Sequence, residues 1–234
     1  MHHVKARKYN EWSFEIGLKD NLGYSNLCFY NSMQKTDASP DRLMDNFKSF
    51  LKELSPISTE SWNRFSRLFS PKILKKGDYY IKEGQIANEI GFLQTGVLRV
   101  FYRNNEGVEY NKHFFLPYCF IGGYASLISK KSSLINQQAL TDCNLFVANF
   151  KDIQDLYHTF PDIERMASVV AEQLFIQKEK REIELVLLDA EKRYHIFQKD
   201  FPLLEQQIPQ YHIASYLGVS PTQLSRIRRK ILSK

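Results

Sequence analysis

The sequence has few cysteines and no long apolar run, and each shortage excludes a class of protein. Only three cysteines occur in 234 residues, at Cys28, Cys119 and Cys143, and no two of them form a Cys-x-x-Cys pair. A disulfide framework, a structural zinc site and a four-cysteine iron–sulfur cluster therefore lack their ligands. The longest uncharged stretch, residues 114–128, is interrupted by a proline and a glycine pair and is shorter than the ~18 apolar residues of a membrane span. We expect reduced thiols, a cytoplasmic location and no membrane association.

Residue clusters that carry catalysis are equally scarce. An enzyme built on a metal-binding barrel needs several histidine and carboxylate ligands, but the β-rich part of the chain offers only His113, which is better explained as a packing or surface histidine. No Ser/His/Asp set, phosphate-binding glycine loop or paired-carboxylate motif stands at a meaningful spacing. The sequence therefore predicts a protein that is not an enzyme, and it indicates no cofactor.

The positive charge of the chain is modest. The formal net charge is +6 and the isoelectric point is about 9.1, while 43% hydrophobic and 25% charged residues are typical of a globular protein. Such a balance mildly favours an anionic partner. The position of the cations along the chain is more informative than their sum.

Changes in periodicity divide the chain into segments. Residues 1–32 show no sustained period, so we expect residues 1–40 to be an extension outside the compact domains; the alternative is that the natural protein begins at Met33. Between residues 41 and 69, apolar side chains at helical spacing predict two short helices. Residues 72–147 contain short β-branched and aromatic segments between turns, which predicts an antiparallel barrel or sandwich.

A long helical pattern follows the β region. Pro161 suits the first turn of a helix. After it, residues recur at alternating steps of four and three, as in the seam of a two-stranded coiled coil: Ile163, Ala167, Val170, Leu174, Gln177, Arg181, Glu184 and Leu188. At ~1.5 Å per residue, the helix would be ~40 Å long and would outrun a barrel of this size. We therefore predict a dimerisation helix over residues 159–187, with a helix packed on its own barrel as the alternative.

The last 25 residues carry the strongest indication of a binding function. A short apolar helix pattern ends at Leu217, and Gly218 suits the left-handed conformation that terminates a helix. Ser220 and Gln223 have the spacing of a capping box, and Pro221 stands at the first helical position. These local features agree on a helix, a tight turn and a second helix.

The second helix separates apolar from cationic side chains. Leu224, Ile227 and Ile231 share one side, and no Asp or Glu occurs from Gln206 to the end of the chain. Such a helix suits the DNA major groove, where its first residues reach base edges and its later cations reach phosphates. Arg226 could make a bidentate contact to guanine. The residues predicted to contact DNA are Ser220, Thr222, Gln223, Arg226, Arg228, Arg229 and Lys230.

Several segments together resemble the CRP/FNR family of bacterial transcription regulators. Residues 213–226 are similar to the family's helix-turn-helix, residues 76–100 to the first half of its cyclic nucleotide-binding β-roll, and residues 188–194 to the start of the helix after its dimerisation helix. The resemblance covers residues 41–234. It implies an α+β fold with an antiparallel, jelly-roll-like sensor at 41–158, a dimerisation helix at 159–187 and a helix-turn-helix domain at 188–234.

The chain departs from the family pattern where other members hold cyclic AMP. Family members that bind cyclic AMP carry Phe-Gly-Glu and later Arg-Ser, whereas this chain has Gly123 in place of the glutamate and Ser133-Leu134 in place of the pair. A cyclic phosphate would lack its guanidinium partner, so we expect no cyclic AMP binding of the usual kind. If the sensor binds an effector, of unknown identity, the pocket is predicted at Gly122, Gly123, Tyr124, Ala125 and Ser126.

The resemblance implies a cytoplasmic, homodimeric regulator that binds double-stranded DNA at an inverted repeat, with RNA polymerase as a further partner. The alternative is an effector-binding module whose C-terminal helices contact a protein. The DNA hypothesis requires Thr222, Arg226 and Lys230 to lie on the exposed side of the second helix.

Overall fold

The computed structural model describes residues 40–233, in which helices precede and follow a β-roll of two four-stranded sheets. The extension predicted for residues 1–40 lies outside the described residues, apart from its last one. The predicted α+β fold with an antiparallel β-roll, a long helix and C-terminal helices is confirmed.

Two helices precede the sheets, as the apolar spacing predicts. Helix α1 spans Pro40–Leu54 and helix α2 spans Thr59–Ser66. The Ser58 hydroxyl caps α2 by accepting the backbone N–H of Ser61 at 3.0 Å, which satisfies one of the unpaired donors of the first turn. Both helices direct aromatic side chains into one core.

Eight antiparallel strands form the β-roll. In spatial order, sheet I contains β1 (Ser70–Leu74), β8 (Cys143–Asn149), β3 (Glu89–Thr95) and β6 (Cys119–Ile121). Sheet II contains β2 (Tyr79–Ile81), β7 (Asn136–Ala139), β4 (Leu98–Arg103) and β5 (Glu109–Phe115). Two short helices, α3 (Tyr124–Ser129) after β6 and α4 (Phe150–Asp155) after β8, were not predicted from the sequence.

Helices dominate the described residues after the β-roll. Helix α5 spans Pro161–Leu187, α6 spans Ala190–Asp200, α7 spans Gln210–Leu217 and α8 spans Pro221–Leu232, with a 3₁₀ turn at Leu204–Gln206. Pro161 begins α5, as predicted. In residues 40–233 no helix combines the length and the apolar character needed to cross a bilayer.

The outer face of sheet I carries an aromatic core. Phe47 of α1 stacks on Phe92 of β3 with ring centroids 4.0 Å apart, and Trp62 and Phe65 of α2 surround it. Ile163 of α5 is fully buried in the same cluster. Helices α1, α2 and the first turns of α5 therefore pack against this sheet as one layer.

The C-terminal helices pack on the outer face of sheet II. Phe114 of β5 makes ring contacts with Phe197, Phe201 and Tyr216 at centroid distances of 6.3, 5.8 and 5.4 Å. These side chains belong to a single apolar cluster that also contains the core of the helix pair α7–α8. The β-roll and the C-terminal helices thus share a continuous hydrophobic contact.

The long helix uses part of the predicted coiled-coil seam inside its own chain. Ile163 and Val170 pack into the α1–α2 core, and Glu184 is buried beside Arg181, whose guanidinium lies over the ring of Tyr216 at 3.9 Å. At these positions α5 packs on its own chain, which is the alternative that the sequence left open. On the opposite side, about 100° per residue places a second apolar face in solvent: Phe175, Ile176, Ile183, Val186 and Leu187.

Candidate nucleic-acid interface

Helices α7 and α8 form the predicted pair. Ile213, Ala214 and Leu217 of α7 are fully buried, so this helix presents one apolar face to the domain core. Gly218 ends α7 with φ +69°, in the left-handed region that favours glycine. The N–H of Val219 closes the turn on the Ala214 carbonyl at 3.0 Å.

The predicted capping box begins α8. The Ser220 hydroxyl accepts the N–H of Gln223 at 3.2 Å, and the Gln223 side-chain carbonyl accepts the N–H of Ser220 at 2.9 Å. Pro221 stands in the first turn, where its missing N–H costs nothing. The Ser220 hydroxyl and the Gln223 side-chain carbonyl are both engaged in the cap. The Nε2 group of Gln223 is therefore the part of that side chain that is available to a base edge.

The exposed side of α8 is polar and cationic. Leu224 is fully buried, whereas Thr222, Arg226 and Arg229 are exposed on the opposite side of the helix. Within the part of the chain that the structure describes, Arg226 and Arg229 take part in no ion pair. Lys230 is exposed as well, so the arrangement on which the DNA hypothesis depends is present.

Two of the predicted contact residues interact within the chain. The Lys230 ammonium lies 2.5 Å from the Glu191 carboxylate of α6, which raises the pKa of Lys230. Arg228 is half-buried beside the hydroxyl of Tyr194. Arg228 and Lys230 therefore flank the exposed face, and Thr222, Arg226 and Arg229 form its centre.

A buried polar cluster joins α7 to sheet II, and the sequence analysis did not identify it. We call it the junction cluster; its members are Arg99, Glu109, Asn111, His212 and Ser215. His212 is only 4% exposed, and Asn111 and Arg99 are 6% exposed each. The one available signal was a histidine next to Ile213 and Ala214 in an otherwise apolar stretch.

The five predicted pocket residues lie where β6 leads into α3, and three of them have structural contacts. The Gly122 carbonyl accepts a hydrogen bond from Gln137 Nε2 at 2.8 Å. The Ser126 hydroxyl accepts the N–H of Ala87 at 3.0 Å and is buried, and the ring of Tyr124 packs against Phe150.

The other two pocket residues differ in their surroundings. A Cβ atom at Gly123 would lie 2.9 Å from Cδ1 of Ile81, so the β2 side chain occupies the place next to this glycine. Ala125 is exposed on the outer side of α3. Of the predicted set, Gly123 alone borders the larger cavity described next.

Two open cavities occur beside the β2–β3 connection. The larger, of about 470 Å³, is lined by Tyr80, Glu89, Gly123 and residues of the connection itself, none of them a lysine or arginine. Burial raises the pKa of the Tyr80 hydroxyl, which has no hydrogen-bond partner among residues 40–233. The smaller, of about 350 Å³, is lined by Lys82 and Arg103 among others. No lysine or arginine lines the larger cavity, and the nearby Lys72 ammonium is paired with Glu89 at 2.7 Å, so the lining offers a phosphate no unpaired cation.

Metal-ligating and redox groups give no further site. Across the described residues, no group of three or more His, Cys, Asp or Glu side chains is arranged to hold a metal. Cys119 and Cys143 are unpaired thiols, and burial raises the pKa of Cys143 to about 11. Cys28 lies outside the described residues.

Comparison with known proteins agrees with this architecture. The profile of the cyclic nucleotide-binding domain matches residues 71–160. No curated protein sequence matches the chain. Among solved structures, the c-di-GMP-responsive global regulator CLP of Xanthomonas campestris is 16% identical with a TM-score of 0.61, over 75% of this chain and 92% of CLP.

Two further structures share the fold at similar distance. FixK2 from Bradyrhizobium japonicum is 17% identical with a TM-score of 0.62, over 70% of this chain and 85% of FixK2. A protein from Eubacterium rectale assigned to the CRP/FNR family of transcriptional regulators is 15% identical with a TM-score of 0.60, over 76% of this chain and 84% of its own. The chain therefore contains a cyclic nucleotide-binding domain and has the fold of the CRP/FNR transcription regulators, as its motifs predict.

Proposed function

We propose that this protein is a sequence-specific DNA-binding transcription regulator. The observation that carries the proposal is the division of α8: Leu224 is fully buried, and Thr222 and Arg226 stand exposed on the opposite side. The Ser220–Gln223 cap fixes the start of the helix. The helix is thus held rigidly by its apolar side while its polar side is open to a ligand.

The chemistry of the exposed face suits the major groove. Arg226 has a planar guanidinium that can donate to both O6 and N7 of guanine, and Thr222 and Gln223 can reach neighbouring base edges. Arg229, one turn further along, suits a phosphate. Arg228 and Lys230 at the flanks add positive charge, and Lys230 would exchange Glu191 for a phosphate.

The proposal includes a homodimer that binds an inverted repeat. The exposed apolar face of α5, with Val186 81% and Phe175 68% exposed, is the surface that a second copy would cover. An inverted repeat requires the two α8 helices to reach half-sites about one DNA turn, ~34–36 Å, apart. The proposal also includes RNA polymerase as a further partner and a cytoplasmic location.

The sensor is proposed not to bind cyclic AMP in the manner usual for the family. Gly123 supplies no carboxylate for a ribose hydroxyl, and Ser133 supplies no guanidinium for a phosphate. The larger cavity, which Gly123 borders, is lined by Glu89 and by no lysine or arginine, and Glu89 is paired with the nearby Lys72. These features support a sensor of another effector, or one without an effector.

DNA binding is tested by selecting sites from random duplexes with the full chain and measuring affinity by fluorescence anisotropy. We expect inverted repeats, and affinity that falls steeply with salt because several phosphates are neutralised. Arg226→Ala should cost ~1–3 kcal/mol on the selected site and relax preference at one base pair.

The matched control is Arg64→Ala, which removes an exposed arginine from α2, on the opposite sheet of the sensor. This variant should bind the selected site like the wild type. No enrichment from random DNA at low salt would overturn the proposal and favour C-terminal helices that contact a protein. Equal losses of affinity for the two variants would show that Arg226 does not contact a base.

A further inference from the structure

The junction cluster directs two donors at one nitrogen atom. Arg99 Nη1 lies 3.3 Å from Nδ1 of His212, and Asn111 Nδ2 lies 3.2 Å from the same atom. Arg99 is held in place by Glu109 at 2.6 Å and by the side-chain carbonyl of Gln138. A guanidinium can only donate, so Nδ1 must be the acceptor.

This geometry requires a neutral imidazole. If Nδ1 carried a proton, its N–H would face the Arg99 guanidinium and the Asn111 amide group. Rotation of the Asn111 amide would offer an oxygen instead, but it would break the bond from Nδ2 to the His212 carbonyl at 3.0 Å. A charged ring therefore loses hydrogen bonds whichever way the amide is placed.

A second pair of bonds runs beside the ring. The Ser215 hydroxyl accepts the N–H of Asn111 at 2.9 Å and donates to the Glu109 carbonyl at 3.0 Å. These groups extend the edge of β5 onto α7, which carries the turn and the recognition helix behind it. Hence the orientation of α8 relative to the sensor depends on whether the junction cluster is intact.

We propose that His212 is a positioning residue for the DNA-reading helix pair: its neutral ring fastens α7 to sheet II, and protonation releases α7 and α8 from the sensor. The inference rests on the proposed function, because the fastened state is taken as the one that binds DNA. In that state Thr222, Arg226 and Arg229 are exposed and held at a fixed angle, so binding does not have to order the domain.

The charges around the ring set the direction of the pH response. Burial and Arg99 of β4 lower the pKa of His212 to about 4, and Glu109 of β5 opposes them. On its own helix the ring contacts Tyr211, and β7 contributes only the neutral Gln138.

Release of α7 would return the pKa of His212 toward its ordinary 6.5. The released state then binds more protons than the fastened state. The neutral ring therefore contributes its full stabilisation of the fastened state above pH 6.5, and this contribution decreases as the pH falls toward 4. At pH 5.5, the equilibrium moves about tenfold toward release.

The test compares DNA affinity of the full chain at pH 7.5 and pH 5.5 in constant salt. We expect wild-type affinity to fall with the fraction of fastened protein, by at most about tenfold. His212→Asn supplies an acceptor that does not titrate, so it should bind like wild type at pH 7.5 and lose less affinity than wild type at pH 5.5. His195→Asn, at an exposed position of α6, should lose as much affinity as wild type.

A readout without DNA separates the two proposals. The backbone N–H of Asn111, which donates to Ser215 of α7, reports on release through its hydrogen exchange. After correction for the intrinsic rate, this exchange should accelerate about tenfold between pH 7.5 and 5.5 in wild type but not in His212→Asn. If His212→Asn does not fold, Asn111→Ala tests the cluster from the sheet side and should weaken DNA binding at pH 7.5. Unchanged exchange in wild type would overturn the role of His212; pH-dependent exchange without any DNA binding would overturn the proposed function alone.

Discussion

Ser220 and Gln223 illustrate how single side chains in this protein serve structure before they serve a ligand. Both were predicted as cap residues and as DNA contacts, and the structure places the Ser220 hydroxyl and the Gln223 carbonyl in reciprocal bonds. Lys230 likewise pairs with Glu191. The centre of the proposed reading surface is therefore narrower than the run of cations suggested, and Arg226 and Arg229 dominate it.

Loss of the cap should lower stability without changing the buried core. Ser220→Ala leaves the Gln223 N–H without its acceptor and should reduce the free energy of unfolding by ~1 kcal/mol in urea titrations. Ser225→Ala, on an exposed turn of the same helix, should change it by less than ~0.5 kcal/mol. Equal losses for the two variants would show that the capping bonds contribute nothing.

At the scale of elements, the segment from β6 into α3 shows how protein contacts occupy the predicted effector pocket. The segment from β6 into α3 keeps the outline of the cyclic nucleotide-binding domain, since the family profile covers it. Within it, Ser126 bonds to the Ala87 backbone, and Ile81 lies against the α-carbon of Gly123. The element is thus stabilised by contacts within the chain.

Calorimetric titration of the chain with cyclic AMP should therefore show no binding at micromolar concentrations. The physical reason is the absence of a guanidinium at Ser133 and of a carboxylate at Gly123 to replace the hydration of the ligand's phosphate and ribose. A DNA titration of the same sample serves as the control for active protein. A dissociation constant in the micromolar range or tighter would contradict this expectation.

At the scale of the whole molecule, one face of helix α5 contacts both the N-terminal helices and the C-terminal helix pair. Its first turns pack on the α1–α2 core through Ile163, and its last turns reach α7 through Arg181, whose side chain also donates to the Tyr216 carbonyl. The remaining apolar face is uncovered. Because large contiguous apolar surfaces are rare on monomers, this face is the expected contact between two copies.

A charge on that face should separate the copies. Val186→Glu places a carboxylate at a side chain that is 81% exposed, so the fold should be retained while the mass in light scattering falls from twice the 27.5 kDa chain mass to once. Leu185→Glu changes an exposed leucine that points to another side of α5 and should leave the dimer intact. A wild-type protein of single chain mass would contradict the dimer.

The features that could be predicted from sequence are those set by neighbouring residues. The left-handed glycine at Gly218, the Ser220 cap, the proline at the start of α5 and the alternation of strands and turns all depend on groups within a few positions of one another. Their physical cause is local backbone geometry, so composition and spacing sufficed. The same holds for the opposite placement of Leu224 and Arg226, which follows from the helical repeat alone.

Other features were decided only when distant segments met. The spacing of α5 suits a seam, but the aromatic cluster around Phe47 takes up the first part of that face, and burial of apolar area does not distinguish a partner chain from the same chain. His212 and Asn111 are 101 positions apart, and their bond exists because β5 and α7 pack together. A lone polar residue acquires a role only from the groups that surround it in space, and no pattern along the chain carries that information.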